Sequence, residues 1–439
     1  MLTNNAFTYD QVGNRLSKQQ NSSQSNALVA GSFNNLNQLT ALSGGNGKLQ
    51  VSGTVSKISK VTVLSGTNSY PATALWGTNF SASIAASLGT NTFTVVAQDA
   101  NTNLVTNTYQ IAVTALEGSR SFIYDANGNC LSDGQRSYQW DAENRLASVT
   151  VGTNVYSFGY DFAGRRVSEK LNGTLIKQTL WDTAGNAPTP LEERNSANAV
   201  AKRFFAQGEQ QNGTNYYYLR DHLGSVRELV TGSGQIVSEA TYDPYGVATV
   251  SGTVTPTFQY AGYYAHQGSG LNLTWYRSYD PVIGRWQARD PLPNAERLQG
   301  LNLYGYCINT PTLGIDVYGL DVFIIQNNGV GGHAFIGIGG IAPPGNNTYG
   351  AWPSTPNILG TPMIIQHPDP AAGGYTPSGC SVQRIKTTTS QEKALENWIK
   401  NNFDINGENS NLGNPYYMFP FRTCRNFPDW AVKQLNNIK

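Results

Sequence analysis

The chain has 439 residues, which is too long for one hydrophobic core, so we expect several domains. Only 13% of the residues are charged and the net charge is +1, so there is no basic field to attract nucleic acid or an anionic membrane. Glycine (46 residues) and tyrosine (24 residues) are abundant. Because glycine favours turns and tyrosine favours strands, this composition predicts a mainly β protein.

The cysteines and the apolar runs exclude further classes. Four cysteines are spread along the chain without a CxxC pair, so a zinc site or a dense disulfide framework is not expected. We also expect no other metal and no cofactor. No run of about 18 apolar residues occurs, so no membrane span is expected. The first residues lack the basic and apolar regions of a signal peptide. For a secreted or cell-surface protein we therefore expect a specialised export route, or a longer chain of which this sequence is part.

One short pattern recurs in residues 1–48 and again in residues 117–320. It consists of an aromatic residue, aspartate, a Gly- or Asn-rich turn, and then arginine or a small polar residue. Four clear copies are YDQVGNRLS from Tyr9, YDANGNCLS from Tyr124, WDAENRLASVT from Trp140 and YDFAGRRVSEK from Tyr160. Each copy predicts a strand, a turn capped by aspartate with glycine or asparagine at positive φ, and a second strand. One hairpin cannot bury its own face, so the copies are expected to stack.

Residues 49–116 interrupt the repeat. LQVSGTVSKISKVTVLSG and NTFTVVAQDANTNLVTNTYQIAVTA alternate apolar and polar positions between Gly/Asn turns, which indicates strands and hairpins. We interpret this segment as an immunoglobulin-like β-sandwich insert that acts as a spacer or adhesive module.

The second block of repeats ends in several motifs that occur in order. They are YYYLRDHLGSVRELV, ATYDPYG, GLNLTWYRSYDPVIGRWQARDPL and NLYGYCINTPTLGIDVYGL. With the YD repeats, they resemble the Rhs repeat-associated core of bacterial Rhs proteins, which are relatives of the teneurins. The resemblance implies a β-strand shell followed by a variable C-terminal domain that is often a toxin, and a cognate immunity protein as a partner.

The same resemblance implies a self-cleavage site. Carried over by motif, Asp290 of GRWQARDPL and Asp316 of DVYGL match the family's aspartates, Arg277 of WYRSYD matches its supporting arginine, and the cut follows Leu320. Two close carboxylates share a proton, so one acts as an acid while the other activates water. The sequence departs from the family pattern at Val317, where proline is usual. The alternative is that both aspartates cap turns, like those of the repeats.

Residues 321–439 have a different character. Short predicted strands such as GHAFIGIGG are followed by a predicted helix in SQEKALENWIKNN and by a last helix that begins near residues 424–427. Cys424 would lie at the start of that last helix, where unpaired N–H groups and the helix dipole stabilise a thiolate. His333, at the start of a strand, would act as base and then as acid.

The order of histidine before cysteine resembles that of circularly permuted papain-like cysteine enzymes. The resemblance implies an α+β fold for residues 321–439. Their third polar residue has no clear counterpart here; the three possible substitutes are Ser354, Gln366 and His367. Two alternatives remain for Cys424: an inert buried thiol, or a disulfide with Cys380.

Taken together, the sequence predicts an Rhs-type polymorphic toxin or effector whose C-terminal domain is a cysteine hydrolase or an acyl or amide transferase. Its expected substrates are peptide bonds, glutamine side chains or lipid esters. The alternative is a non-enzymatic cell-surface or wall-associated adhesion or scaffold protein. A nuclease fits poorly, because residues 321–439 contain eight Lys/Arg and seven Asp/Glu and no evident acidic metal cluster.

Overall fold

The computed structural model describes residues 4–21, 26–75, 77–182, 189–292, 295–298, 300–320, 322–325 and 335–338. These residues are mostly in strands, which confirms the predicted mainly β class. They belong to two compact units, residues 1–137 and 138–439. No helix in the described part of the chain is long and apolar enough to cross a membrane.

The first unit contains fourteen complete strands in the residues described. They are β1 (Asn4–Tyr9), β2 (Arg15–Asn21), β3 (Asn26–Phe33), β4 (Leu39–Gly44), β5 (Gly47–Thr54), β6 (Lys60–Ser65), β7 (Asn68–Pro71), β8 (Thr73–Ala74), β9 (Asn79–Ala86), β10 (Gly89–Gln98), β11 (Leu104–Ala115), β12 (Arg120–Ser121), β13 (Ile123–Tyr124) and β14 (Cys130–Ser132). The next strand, β15 (Arg136–Trp140), contains the boundary between the two units.

Two sheets pack together in the first unit. The larger sheet contains β1 to β4, β6, β7 and β10 to β12, and the smaller one consists of β5, β9 and β8. Their shared core contains Leu28, Leu49, Val63, Ala82, Ile84, Phe93 and Val113. The strands predicted for residues 49–116 are therefore confirmed, and the immunoglobulin-like classification stays a prediction. The parallel pairing of β11 with β3 makes strands of residues 1–48 and 49–116 part of one sheet.

The second unit begins with a long run of neighbouring strands. They are β16 (Leu146–Val151), β17 (Asn154–Tyr160), β18 (Arg166–Leu171), β19 (Thr174–Trp181), β20 (Pro190–Arg194), β21 (Val200–Phe205), β22 (Gly208–Gln211), β23 (Thr214–Arg220), β24 (Val226–Thr231), β25 (Ile236–Tyr242) and β26 (Ala248–Gly252). Each strand pairs antiparallel with the next, as stacked hairpins require.

The end of the second unit is built from short elements. The strands are β27 (Tyr264–His266), β28 (Leu271–Leu273), β29 (Ser278–Asp280), β30 (Arg285–Trp286), β31 (Gly314–Ile315), β32 (Val322–Ile325) and β33 (Phe335–Ile338), and the helical turns are Tyr260–Gly262, α1 (Ala295–Leu298) and Cys307–Asn309. Buried aromatic rings form the centre of this region: Tyr260, Tyr263, Tyr279, Trp286 and Tyr306. Their tightest pair, Tyr279 and Tyr306, has ring centroids 4.5 Å apart. Aromatic packing therefore stabilises a segment that has little regular structure.

The repeat turns share one hydrogen-bond pattern. At Asp161, Oδ1 accepts the backbone N–H groups of Ala163 (3.0 Å) and Arg165 (2.9 Å), and Gly164 has a φ of 76°. Oδ2 accepts Arg165 Nε at 2.7 Å. The same Oδ1 pattern recurs at Asp10, Asn34, Asp99, Asp141, Asn195, Asp221 and Asp243. The predicted aspartate cap is confirmed, and its bonds are completed within four residues.

The repeat aromatics connect successive hairpins. The Tyr160 hydroxyl donates to the Leu146 carbonyl at 2.9 Å, and the Tyr242 hydroxyl donates to the Val226 carbonyl at 2.7 Å. Burial raises the pKa of Tyr160 and Tyr242, so both remain protonated donors. The YD pairs at Tyr160 and Tyr242 thus close their own turns through aspartate and contact an earlier strand through tyrosine.

Candidate functional site

Three residues far apart in the sequence meet in the core of the second unit. Arg277 precedes β29, Asp290 follows β30 and Asp316 follows β31. Nη2 of Arg277 lies 2.7 Å from Asp290 Oδ2 and 2.9 Å from Asp316 Oδ2. All three side chains are at most 2% exposed. The residues matched to the self-cleavage motif therefore form one buried cluster, here called the Asp–Arg–Asp cluster.

The guanidinium of Arg277 is fixed on every side. Its Nε donates to the carbonyl of Gly319, and Nη1 donates to the carbonyl of Leu303 at 3.3 Å. The ring of Trp286 lies against it, with the guanidinium carbon 4.3 Å from the ring centroid. Such a cation over an indole face is favourable when both are removed from water. Arg277 therefore contacts both carboxylates and the backbone that precedes Leu320.

The other carboxylate oxygens cap turns. Asp316 Oδ1 accepts the backbone N–H groups of Gly319 (2.8 Å) and Leu320 (2.9 Å), and Asp290 Oδ1 accepts that of Leu292 (2.8 Å). The turn-cap alternative thus describes one oxygen of each residue. Asp290 Oδ2 is buried and, among the described residues, has only its ion pair with Arg277 and no well-oriented hydrogen bond.

Tyr263 fixes the backbone of Asp316. Its hydroxyl donates to the Asp316 carbonyl at 2.6 Å and accepts the Asp316 N–H at 3.1 Å. Burial, with the Asp316 charge as a second cause, raises the pKa of Tyr263 well above its usual value, so it stays a neutral hydroxyl. Burial also raises the pKa of Cys307, whose thiol is therefore a poor nucleophile.

Gly319 lets the chain turn beside the cluster. Its φ is +79°, and an added Cβ would lie 2.5 Å from Thr274 Oγ1 and 3.1 Å from Arg277 Cβ. Leu320 next to it is buried. The glycine is required both for positive φ and for close approach. The backbone up to Leu320 is thus held against the carboxylates; Asp321, on the far side of the matched bond, lies outside the described residues.

The residues of the predicted cysteine enzyme fall outside the described part of the chain. They are Cys424, His333, the possible third members Ser354, Gln366 and His367, and the possible disulfide partner Cys380. Their arrangement stays a prediction, and so does the α+β fold of residues 321–439.

Sequence reasoning missed a second polar region. On β18 to β21, Glu169 lies opposite Lys177 and Glu193 lies opposite Lys202. Together with His266 they line a cavity of about 240 Å³. Alternating charges were visible in SEK, IKQ, LEER and AKR, but only the strand register shows that they share a face. No group of three or more metal-ligating side chains occurs in the described ranges.

Comparison with known proteins gives relatives of several kinds. The chain is 31% identical over 223 residues to the tRNA3(Ser)-specific nuclease WapA of Bacillus spizizenii, a match that covers 48% of this chain and 9% of WapA. It is 27% identical over 232 residues to the toxin protein Tse5 of Pseudomonas aeruginosa, covering 47% of this chain and 17% of Tse5. This chain therefore spans only a small part of the length of these relatives.

Solved structures and protein families were compared as well. A solved complex of TcdB2, TccC3 and Cdc42 covers 73% of this chain and 17% of that chain, with 19% identity and a TM-score of 0.38. The sequence model of the Teneurin YD-shell family matches residues 90–312, which is just over half of the chain. The predicted YD-repeat resemblance is thereby confirmed, and the chain belongs to the Teneurin YD-shell family.

Proposed function

We propose that this chain is an Rhs-type toxin or effector that hydrolyses its own backbone after Leu320 and thereby separates residues 321–439 from the repeats. The observation that carries the proposal is the convergence of Asp290 and Asp316 on Arg277, directly beside Gly319 and Leu320. The name of the toxin protein Tse5 supports the toxin class. Delivery outside the producing cell, or display on its surface, belongs to the same proposal.

The chemistry is that of a carboxylate pair. One guanidinium balances one of two buried carboxylates, so a proton shared by Asp290 and Asp316 leaves the cluster neutral. The ionised member takes a proton from water as the water oxygen attacks the Leu320 carbonyl carbon, and the protonated member gives its proton to the leaving nitrogen. The C–N bond breaks, and the products are a Leu320 carboxyl group and a new amino terminus.

The test compares matched amide variants of the full chain. We expect Asp290→Asn and Asp316→Asn to leave the purified protein full-length, while the wild type yields two fragments by intact-mass measurement. Asp161→Asn is the matched control, because Asn34 and Asn195 form the same turn as Asp161. Cleavage of both site variants at the wild-type rate would reject the proposal.

For the released segment we propose a papain-like cysteine hydrolase or acyl or amide transferase, with Cys424 as the nucleophile and His333 as base and acid. Support comes from the predicted helix start at the cysteine and the strand start at the histidine. Iodoacetamide should label Cys424 faster than it labels Cys380, and His333→Gln should remove that difference. Toxicity that survives Cys424→Ala would contradict this part.

The names of the relatives also support a second candidate. WapA is named a tRNA nuclease, so the C-terminal segment is tested for tRNA cleavage beside peptide, glutamine and lipid-ester substrates. An activity on tRNA that is independent of Cys424 would replace the cysteine hydrolase and overturn the expectation that nucleic acid is not a partner. An immunity protein is the expected inhibitor of either enzyme. If the segment has no activity and no toxicity, the adhesion or scaffold alternative stands.

A further inference from the structure

The cavity in the second unit lies over a row of alternating charges. Across β18 and β19, Lys177 Nζ is 2.5 Å from Glu169 Oε2, and it is 3.7 Å from Glu193 Oε1 on β20. Lys202 on β21 is the register partner of Glu193. Because register partners and next-but-one residues share a sheet face, these four side chains form one charge ladder.

The segment of residues 255–268 covers this ladder. His266 Nε2 lies 3.0 Å from Glu169 Oε1, and the Tyr264 hydroxyl donates to Glu193 Oε1 at 2.8 Å. His266 Nδ1 lies 2.7 Å from Ser269 Oγ and 3.2 Å from the Ser269 backbone nitrogen, and Nε2 donates to the Glu169 carboxylate. Both carboxylates of the ladder, Glu169 and Glu193, therefore accept a hydrogen bond from the covering segment.

Lys202 is the exception in the ladder. Its ammonium donates to Thr257 Oγ1 at 2.7 Å, and no carboxylate of the described residues lies within 4.0 Å of it. The ammonium has three donors, and the neutral hydroxyl of Thr257 accepts one of them. Lys202 is half-buried and lines the cavity. A half-buried cation at the wall of a cavity, with no carboxylate of the described residues at ion-pair distance, favours an anion there.

The remaining walls restrict the anion. The cavity of about 240 Å³ has room for roughly eight water molecules at liquid volume. Glu169 and Glu193 line it too, so a multiply charged anion would meet two carboxylates. Glu193 is also a hydrogen-bond acceptor, and Tyr156 is a further lining residue. A small molecule with one carboxylate for Lys202 and one donor for Glu193 complements these groups.

We propose that this cavity is a binding site for a small monocarboxylate that also carries a hydroxyl or ammonium donor. The site is separate from the Asp–Arg–Asp cluster and does not depend on self-cleavage. Lys202 binds the carboxylate, Glu193 accepts the donor, and the covering segment with Thr257 completes the wall.

The test is saturation-transfer NMR on the full chain with lactate, glycine, acetate and inorganic phosphate as probes. We expect saturable binding of lactate or glycine, weaker binding of acetate, and at least a tenfold loss of affinity in Lys202→Met. Lys170→Met is the matched control, because Lys170 is exposed on β18, and its affinity should equal that of the wild type.

A second measurement does not depend on the folding of the variant. In the wild-type chain the Lys202 ammonium signal, assigned by its loss in Lys202→Arg, should shift as lactate or glycine is added, while the Lys170 signal stays fixed. No saturable binding, equal affinity in a folded Lys202→Met variant, or phosphate binding as tightly as lactate and glycine would overturn the proposal.

Discussion

Aspartates of the repeat turns and aspartates of the Asp–Arg–Asp cluster use the same side chain in different ways. Asp161 satisfies both oxygens within four residues, through the N–H groups of its turn and Arg165 Nε. Asp290 and Asp316 cap turns with Oδ1, but their Oδ2 atoms meet Arg277, which lies 13 and 39 positions away. The difference teaches that a carboxylate can retain its structural role while one oxygen becomes available for chemistry.

The largest effect should come from removing the shared cation. Arg277→Met leaves the buried pair of Asp290 and Asp316 without its counter-cation, so we expect a loss of about 3–5 kcal/mol in the free energy of unfolding, measured by urea denaturation. Arg165→Met removes a local, partly exposed ion pair and should cost about 1 kcal/mol or less. Equal losses of stability in Arg277→Met and Arg165→Met would contradict the distinction between cluster aspartates and turn aspartates.

The second largest effect should be a loss of stability at low pH through Glu169 of the charge ladder. Burial acts to raise the pKa of Glu169, but the hydrogen bond from His266 and the charge of Lys177 outweigh it and lower this pKa from 4.5 to about 2. A depressed folded-state pKa stabilises the protein above the unfolded value, and the contribution disappears as pH falls from about 4.5 to about 2. Its size is about 3 kcal/mol.

The check is a pair of denaturation series from about pH 6 to about pH 1.5, a range that brackets that transition on both sides. The Glu169→Gln variant should be less stable than the wild type near pH 6, and its free energy of unfolding should depend less on pH. Exposed Glu143→Gln is the control and should leave the curve unchanged. A Glu169→Gln curve parallel to that of the wild type would contradict the assigned pKa.

Two glycines at positive φ, Gly319 and Gly270, separate backbone strain from steric crowding by an added methyl group. Gly319→Ala places a methyl group against Thr274 and Arg277 at positive φ, and should destabilise by about 2–3 kcal/mol while also slowing self-cleavage. Gly270→Ala has a φ of 70° with nothing within 4 Å of the new Cβ, so about 1 kcal/mol is expected. Thermal denaturation measures the loss of stability, and fragment yield measures self-cleavage. If the two variants lose equal stability and cleave at equal rates, Gly319 has no special role beside the cluster.

The smallest effect belongs to a single repeat turn. Asp161→Ala should cost about 1 kcal/mol, because two backbone N–H groups and Arg165 lose their acceptor. Asp161→Asn should cost less than half as much, since asparagine closes the same turn at Asn34. Melting temperatures of the two variants against the wild type check the order, and an asparagine variant as unstable as the alanine variant would contradict it.

Local features of the fold could be predicted from the sequence, and long-range ones only in part. The YD turns were predictable because Asp161 and its partners lie within four residues of one another. The meeting of Arg277, Asp290 and Asp316 came from a family motif, since no periodicity relates those positions. Lys177 and Glu193 were missed because their contact depends on the register of three strands, which residue spacing alone does not fix. The pairing of β11 with β3 was invisible for the same reason.

Synthesis of the full chain in water enriched in heavy oxygen tests the central claim most directly. If Asp290 and Asp316 activate water against the Leu320 carbonyl, the N-terminal fragment ends at Leu320 and its new carboxyl group carries one heavy oxygen atom from the solvent. A single full-length species, a fragment with another end, or a Leu320 terminus without the solvent label would contradict the account.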